Sequence, residues 1–271
     1  MSLLSANHPP EIPFIELQSV DSTNKYAMEL IHEDRLPDLP DRQAGGQGRA
    51  EHGLAVFAYE QTAGKGQRGK SWSTGKGMNI ALSLIINPFP LKPSEVFQLS
   101  ACAAVAVHDF FCKYAGDETK IKWPNDIYWR DRKAGGVLIE NVIRGQESGM
   151  GNWEWSVIGI GINVNQISFP VELPNPVSLK QITGKNFEPV ILARELCVIL
   201  NKHFFELANG EFKYIFDNYQ QILYKKNEKV RLKKNNRIFE TTIKGVAESG
   251  ELIVQHAIEE RFEFGTVEWI L

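Results

Sequence analysis

The chain has 271 residues, which exceeds one average domain and favours one large plus one small domain. Its 43% hydrophobic and 23% charged residues are typical of a globular protein with a buried core. A formal net charge of -3 excludes a general electrostatic attraction to nucleic acid, and the apolar runs are too short to span a membrane. Three cysteines without C-x-x-C spacing, and no secretory pattern at the N-terminus, indicate reduced thiols in the cytoplasm.

The first predicted elements are a strand at residues 14–20 and a helix that follows it. Between them, Asp21-Ser22-Thr23-Asn24 has the residue types that cap a helix N-terminus. Residues 32–53 are polar and rich in Gly and Pro, which predicts a long loop that is either disordered or a lid.

A glycine-rich loop is predicted at residues 61–72, between strands at residues 54–58 and 80–86. Its glycines expose backbone N–H groups, and no acidic residue occurs between Gln61 and Ile80. The positive charges of the loop are Lys65, Arg68 and Lys70. Such a loop can wrap an anion.

Residues 64–71 also fit the pattern G-x-x-x-x-G-K-S/T of nucleotide hydrolases. That phosphate-binding loop works when a helix begins at its Lys-Ser pair and points its N-terminus at the phosphates. Here Gly75 and Gly77 follow within the first turns, and glycine disfavours a helix. The hydrolase interpretation therefore lacks its structural context. It predicts ATP hydrolysis without a second substrate.

A second dense stretch lies at residues 120–136, after a long helix that Ser94 is expected to cap. Pro124 is expected to interrupt a strand in this stretch. A hairpin is predicted from a strand at residues 135–142, a turn at residues 145–152 and a strand at residues 153–164. In its second strand, Gly159 and Gly161 leave room for a backbone or a ligand to approach closely.

The last part of the chain changes from helices to short strands. Helices are predicted at residues 178–182, 189–207 and 211–222. Short strands follow at residues 230–232, 239–245, 251–256 and 261–269. We therefore assign residues 1–225 to a main domain and residues 226–271 to a separate β module.

Three separated stretches resemble the catalytic region of biotin protein ligases. They are Asp21-Ser22-Thr23-Asn24, Gln61 with Gly64-Lys65-Gly66-Gln67-Arg68-Gly69, and Lys122-Trp123-Pro124-Asn125-Asp126 followed by Arg132-Lys133-Ala134-Gly135-Gly136. Residues 159–164, Gly-Ile-Gly-Ile-Asn-Val, are a fourth match. The order and spacing are similar across nearly the whole chain, and the Lys-Trp-Pro-Asn-Asp run is highly specific.

The resemblance implies an α+β fold in which helices flank a mixed, largely antiparallel sheet, as in class II synthetases, with a small C-terminal SH3-like β-barrel. It also implies a ligase that activates biotin with ATP and Mg2+ to biotinyl-5′-adenylate. Biotin is then transferred to a lysine of a biotin carboxyl carrier domain in a biotin-dependent carboxylase. A cytoplasmic protein is expected, with a homodimer formed through an exposed sheet edge.

By the same resemblance, Lys133 is the catalytic residue, because one ammonium can contact the biotin carboxylate and the phosphate oxygens together. The expected biotin contacts are Ser22, Thr23, Asn24, Gln61, Gly64, Lys65, Gly66, Gln67, Lys133 and Gly136. The expected ATP or adenylate contacts are Lys65, Arg68, Trp72, Lys122, Trp123, Asn125, Lys133 and Asn163. Asp126 is the expected ligand of Mg2+, which prefers hard oxygen ligands. The glycine loop would close over the adenylate and shield it from water.

The glycine loop departs from the well-known family form at two positions. Lys65 stands where arginine is usual, and Gln67 stands where arginine is frequent. Lys65 keeps the charge without the bidentate fork, whereas Gln67 keeps a hydrogen-bonding tip without the charge. We therefore expect the adenylate to be held less tightly, unless Arg68 or Lys70 compensates.

No DNA or membrane partner is expected. Repressor-type members of the family carry an N-terminal DNA-binding domain, and we expect none here because the matching stretches begin near the first residue. Residues 225–237 contain seven basic residues, which form either a solvated edge or a contact for an acidic acceptor domain. Two alternatives to the ligase are a lipoate or octanoate ligase or transferase of related fold, and a non-catalytic module that binds biotin or a nucleotide. The intact Lys133 favours an enzyme.

Overall fold

The computed structural model describes residues 12–33, 52–72, 74–144 and 152–270. Most of the predicted loop at residues 32–53 and of the predicted turn at residues 145–152 lies outside the described residues.

Seven strands of the described chain form the central sheet. They are β1 (Phe14–Leu17), β2 (His52–Ala58), β3 (Asn79–Ile86), β4 (Thr119–Lys122), β5 (Asp126–Trp129), β6 (Arg132–Arg144) and β7 (Asn152–Asn163). Their order across the sheet is β1-β2-β3-β7-β6-β5-β4. The β1–β2 pair is parallel and the other pairs are antiparallel, so the predicted mixed, largely antiparallel sheet is confirmed.

Five α-helices of the described chain flank this sheet. They are α1 (Thr23–His32), α2 (Val96–Ala115), α3 (Leu179–Thr183), α4 (Pro189–Ala208) and α5 (Phe212–Gln221). Helix α1 packs its apolar residues on one face of the sheet, and α2 and α4 pack together on the other face. Every residue of β3 is buried, because helices cover both of its faces.

Helix α2 differs in two respects from a simple reading of its sequence. Ser94 does not cap it, because residues Pro93–Glu95 form a 3-10 turn in which the Glu95 side chain accepts a hydrogen bond from the Lys92 backbone N–H at 2.8 Å. Residues Pro93–Ala115 have the length and hydropathy of a membrane span. In the structure, α2 is the central core helix, with its alanines and aromatic residues packed against α4, α5 and the sheet.

A second sheet follows at the C-terminus. Its strands are β8 (Lys229–Lys234), β9 (Arg237–Val246), β10 (Leu252–Gln255), β11 (Glu259–Phe262) and β12 (Glu268–Ile270), in the order β11-β10-β9-β8-β12. All its pairs are antiparallel, which confirms a C-terminal β-sheet domain. Its buried residues belong to the same core cluster as α2, so the two sheets share packing. The boundary between residues 225 and 226 stays a prediction.

The prediction of one last strand at residues 261–269 is wrong. Strands β11 and β12 lie on opposite edges of the C-terminal sheet. The chain turns between them, where the Thr266 backbone N–H donates to the Glu263 carbonyl at 3.1 Å and Gly265 has a φ of +85°. Glycine adopts this left-handed conformation without the steric cost that other residues carry.

Candidate active site

A cleft of about 820 Å³ lies between the central sheet and the C-terminal sheet. Its walls come from the N-terminus of α1, the glycine loop, strands β4 to β7 and the end of the chain around β12. Fifteen of the seventeen predicted site residues line it: Ser22, Thr23, Asn24, Gln61, Lys65, Gly66, Gln67, Arg68, Trp72, Lys122, Trp123, Asp126, Lys133, Gly136 and Asn163.

One end of the cleft carries a network of uncharged side chains, Thr23, Asn24, Gln61 and Ser83, which we call the amide–hydroxyl cluster. The Gln61 Oε1 atom accepts from the backbone N–H of Thr23 at 2.8 Å and from its hydroxyl at 3.1 Å. The Ser83 hydroxyl lies 2.7 Å from the Thr23 hydroxyl and 2.6 Å from Asn24 Oδ1. Asn24 Nδ2 donates to Glu140 at 2.7 Å, which fixes the orientation of this amide.

Ser22 stands at the N-cap of α1 beside this cluster. Its side chain makes no capping hydrogen bond, although it is only 2% exposed. The N-cap interpretation is therefore correct for the position and incomplete for the side chain. A buried hydroxyl on the cleft wall that does not cap its helix is available to a polar ligand group.

Two glycines of β7 allow side chains to approach the sheet closely. A Cβ atom on Gly159 would lie 2.2 Å from Asn24 Oδ1, and one on Gly161 would lie 2.4 Å from the Trp72 ring. Distances below 3.0 Å would force one of the groups to move. Gly159 thus seats the amide–hydroxyl cluster, and Gly161 seats Trp72.

The other end of the cleft is positively charged. Five basic side chains line the cleft, and we call them the cationic group: Lys65, Arg68, Lys70, Lys122 and Lys133. Only two acidic residues, Asp126 and Glu268, line the cleft among the described residues. Lys133 Nζ lies 2.6 Å from Asp126 Oδ2, and Gly136 lies against this pair. The excess of positive charge suits an anionic ligand.

Lys122 is a half-buried member of the cationic group, whereas Lys65, Arg68 and Lys70 are exposed. Burial lowers its pKa to about 8; Asp126 opposes this change, and Lys133 and Lys70 add to it. Its Nζ atom donates to the Tyr128 hydroxyl at 3.2 Å. This lysine is therefore mostly protonated at neutral pH and loses its charge as the pH rises through about 8, unless an anion binds beside it.

The glycine loop contains no α-helix. A single 3-10 turn, Gln67–Gly69, interrupts it, and Lys70 after the turn is extended. The Lys-Ser pair of the hydrolase pattern therefore does not begin a helix, and the structural context of that pattern is absent from the described residues.

Comparison with known proteins identifies a family domain that contains much of this cleft. A family model described as the biotin/lipoate A/B protein ligase family matches residues 46–163. This range includes the glycine loop, residues 120–136 and the glycines of β7. These residues are a domain of the biotin/lipoate A/B protein ligase family. The bifunctional ligase/repressor BirA of Bacillus spizizenii is 33% identical over 207 residues, which cover 74% of this chain and 57% of that protein.

Two further comparisons agree with the family domain. The biotin acetyl-CoA-carboxylase ligase of Paracoccus denitrificans is 35% identical over 142 residues, covering 49% of this chain and 55% of that protein. The chain thus spans little more than half the length of these relatives. A biotin protein ligase from Aquifex aeolicus in complex with biotin and ATP superimposes with a TM-score of 0.73 at 22% identity, covering 95% of this chain and 98% of that one. This likeness confirms the predicted fold.

Two predicted contact residues of the family domain lie outside the cleft lining. Asn125 is 4% exposed, and its amide accepts from Gln67 Nε2 at 2.7 Å and donates to Ser100 at 3.1 Å. Gly64 packs against the Trp72 carbonyl and the Gln61 side chain. Both stay predicted ligand contacts. In the structure, Asn125 also positions Gln67 through this hydrogen bond.

The structure also shows site residues that sequence analysis did not identify. Ser83 of β3 belongs to the amide–hydroxyl cluster, and Glu140 of β6 orients it through Asn24. Ser83 is the one hydroxyl in the apolar run of β3, and an isolated polar residue in a buried strand was the available sign of it. Phe264 and Trp269 form a C-terminal wall that no local pattern indicated.

The C-terminal domain near this wall contacts both the glycine loop and residues 120–136. The Trp123 indole N–H donates to the Gly250 carbonyl at 2.9 Å, and its ring meets Phe264 at 5.7 Å in an edge-to-face arrangement. The Arg68 guanidinium lies against Gly265, where an added Cβ would be 3.3 Å from Arg68 Cζ. Trp123, an expected adenylate contact, therefore also has a structural role.

Asp126 is the predicted metal ligand, and its surroundings fit Mg2+ only as part of a larger ligand set. The described residues contain no group of three His, Cys, Asp or Glu side chains that could hold a metal ion. Mg2+ in nucleotide sites is held by one or two carboxylates, water and phosphate oxygens. A lone carboxylate in a cationic cleft is consistent with that arrangement.

Proposed function

We propose that this protein is an ATP-dependent biotin protein ligase, which activates biotin to biotinyl-5′-adenylate and transfers it to a lysine of a biotin carboxyl carrier domain. The single observation that carries the proposal is the polarity of the cleft. The uncharged amide–hydroxyl cluster lies against Gly159 of β7, whereas the Lys133–Asp126 pair of the charged end lies against Gly136, which pairs with Gly161 two residues along that strand. Biotin has the same polarity, since a neutral ureido ring is joined by an apolar chain to a carboxylate.

The amide–hydroxyl cluster would bind the ureido ring. A buried urea needs both donors and acceptors, because an unpaired polar group costs about 1–3 kcal/mol. The Ser22 hydroxyl, which does not cap α1, and the Gln61 amide, which Thr23 orients, would supply such groups, with Thr23 and Asn24 in support. The ring of lipoate has no comparable polar groups, so this cluster favours biotin over the lipoate or octanoate alternative.

The cationic group would bring two anions together. In the first step, a biotin carboxylate oxygen bonds to the α-phosphorus of ATP, and the bond from that phosphorus to the bridging oxygen of pyrophosphate breaks. Lys133 would contact both the carboxylate and the phosphate, which offsets their repulsion. Lys122 and Arg68 would bind phosphate oxygens, Trp72 would face the adenine, and Asn163 would contact the adenylate.

In the second step, the amine of an acceptor lysine attacks the biotinyl carbonyl and AMP leaves. The glycine loop would exclude water from the mixed anhydride until the acceptor arrives. Gln67 would hold the loop, since its amide donates to Asn125 at 2.7 Å and to the Val137 carbonyl at 2.8 Å. Asp126 would hold Mg2+ together with phosphate oxygens, and the ion would supply further neutralisation of the phosphates.

The partners and compartment are proposed on the same basis. The acceptor is a biotin carboxyl carrier domain, and basic residues 225–237 are a candidate contact for an acidic one. Lys225 within this stretch is already paired with Asp131 at 3.2 Å and Glu228 at 3.1 Å, so the other basic residues would carry the contact. A cytoplasmic location is consistent with three free cysteines. A homodimer stays a prediction.

The proposal is tested by exchange of labelled pyrophosphate into ATP, with biotin, with lipoate and without any acid. We expect exchange that requires biotin and that falls about 100- to 1,000-fold in Lys133→Ala. Lys213→Ala is the matched control, because Lys213 is 84% exposed on α5. Exchange with lipoate but not biotin would support the lipoate alternative. ATP turnover without any acid, or binding without exchange, would contradict the ligase.

A further inference from the structure

Lys122 is held in the cleft by two aromatic rings that come from different sheets. Its Nζ atom lies 4.9 Å from the centroid of the Tyr128 ring and 5.4 Å from the Trp269 ring. Tyr128 belongs to β5 of the central sheet, whereas Trp269 belongs to β12 of the C-terminal sheet. All three side chains line the cleft.

The Trp269 ring is fixed from behind by a second aromatic contact. Its centroid lies 5.9 Å from that of Tyr224, whose hydroxyl donates to Asp131 Oδ1 at 2.6 Å. The Trp269 indole N–H is buried and has no acceptor among the described residues. The ring therefore acts through its face, since its polar atom is not used.

An aromatic face and a carboxylate hold a lysine with different consequences. A carboxylate neutralises the ammonium, and Lys133 has such a partner in Asp126. Lys122 forms no ion pair within 4.0 Å among the described residues. A ring face attracts the ammonium through its quadrupole and leaves the charge available to an anion.

We propose that Trp269 is a positioning residue for nucleotide binding: its indole face holds the Lys122 ammonium in the cleft, charged and unpaired, where it contacts a phosphate group. This inference rests on the proposed function, because the anion is taken to be ATP. It also gives the C-terminal sheet a direct part in the site, through a residue that lies 147 positions from Lys122 in the sequence.

The test is isothermal titration of ATP and of inorganic pyrophosphate into the full chain, without biotin. We expect Trp269→Leu to weaken the binding of both about ten-fold. Trp269→Phe keeps a ring face and should lose no more than about three-fold. Added to Lys122→Met, Trp269→Leu should cause no further loss, because the residue acts through Lys122.

Trp155→Leu is the matched control. Trp155 is partly buried against the apolar residues that α1 packs on the sheet, and it lies outside the cleft lining. Thermal unfolding shows whether each variant folds. If Trp269→Leu does not fold, the double-mutant cycle is measured with Trp269→Phe and Lys122→Met instead. Equal losses in Phe and Leu variants, or additive losses with Lys122→Met, would overturn the inference. Normal ATP binding in Trp269→Leu would overturn it alone, whereas a wild-type protein that binds no ATP would overturn the proposed function as well.

Discussion

At one end of the cleft, the amide–hydroxyl cluster satisfies its polar atoms largely within itself. Elsewhere in the cleft lining, the part of the chain that the structure describes contributes five cations and only two carboxylates. The cluster is seated by Gly159 and oriented by Glu140 from behind. The cationic group has the Lys133–Asp126 pair as its one ion pair of 4.0 Å or less within the cleft lining. The first arrangement fixes geometry before a ligand binds, and the second leaves charge that a ligand completes.

This difference assigns separate tasks to the two ends. A network of fixed neutral hydrogen bonds discriminates ligands by shape and polarity, because a poorly matched ligand leaves buried groups unpaired. Unbalanced charge discriminates little among anions but attracts them strongly. The two ends should therefore respond differently to the same perturbation, and four measurements test this.

The largest effect is expected from Gly159→Ala, which attacks the amide–hydroxyl cluster. The new methyl group would lie 2.2 Å from Asn24 Oδ1, so Asn24 must leave Ser83 and Glu140. We expect biotin affinity to fall about 100-fold, while ATP affinity changes less than about two-fold. Titration calorimetry with each ligand separately measures both values. Equal losses for the two ligands would show that the ends are not independent.

A smaller and opposite effect is expected two residues along the same strand. In Gly161→Ala the methyl group would lie 2.4 Å from the Trp72 ring and would displace it. Base–aromatic stacking contributes about 1–3 kcal/mol, so ATP affinity should fall about ten-fold and biotin affinity should change little. Gly159→Ala and Gly161→Ala serve as controls for each other, and thermal unfolding checks that both fold. A loss of biotin affinity in Gly161→Ala would show that Trp72 contacts biotin rather than ATP alone.

Sequence patterns predict the cleft residues that lie close together in short motifs. The glycine loop, the strand break at Pro124 and the glycines of β7 each carry their signature within a few residues. Sequence patterns miss Ser83 and Glu140, because each is a single polar residue in a long strand and becomes part of the site only through register. Local pattern does not fix register across a seven-stranded sheet.

The C-terminal wall was missed for a related reason. Sequence analysis extended one strand through residues 261–269 because aromatic and β-branched residues occur on both sides of Gly265. The turn at Gly265 instead sends β12 to the opposite edge of its sheet, beside β8, and brings Trp269 to Lys122. Asn125 stays a predicted adenylate contact, and its hydrogen bonds to Gln67 and Ser100 could not be predicted, because its motif does not fix which side chains it meets.

Ionic strength offers a test that needs no substitution. Raising KCl from about 50 mM to about 200 mM should weaken pyrophosphate and ATP binding several-fold, because salt screens the partly exposed cationic group. Biocytin, which carries the biotin rings without a free carboxylate on its valeryl chain, should bind almost equally at both salt concentrations. An equal salt dependence of ATP binding and biocytin binding would mean that the cationic group also governs binding of the neutral ureido ring.

The smallest expected effect is a pH dependence confined to the charged end. Burial lowers the pKa of Lys122 to about 8, so its ammonium is present below that pH and is lost as the pH rises through it. ATP affinity should therefore decline about two- to three-fold between pH 7 and about pH 8.5. Lys122→Arg stays charged throughout this range and should bind ATP with little pH dependence. Biocytin affinity should be flat in both proteins, because it lacks the free valeryl carboxylate and no group of the amide–hydroxyl cluster titrates in this range. A decline that persists unchanged in Lys122→Arg would assign the titration to another group of the cleft and would remove Lys122 from the phosphate site.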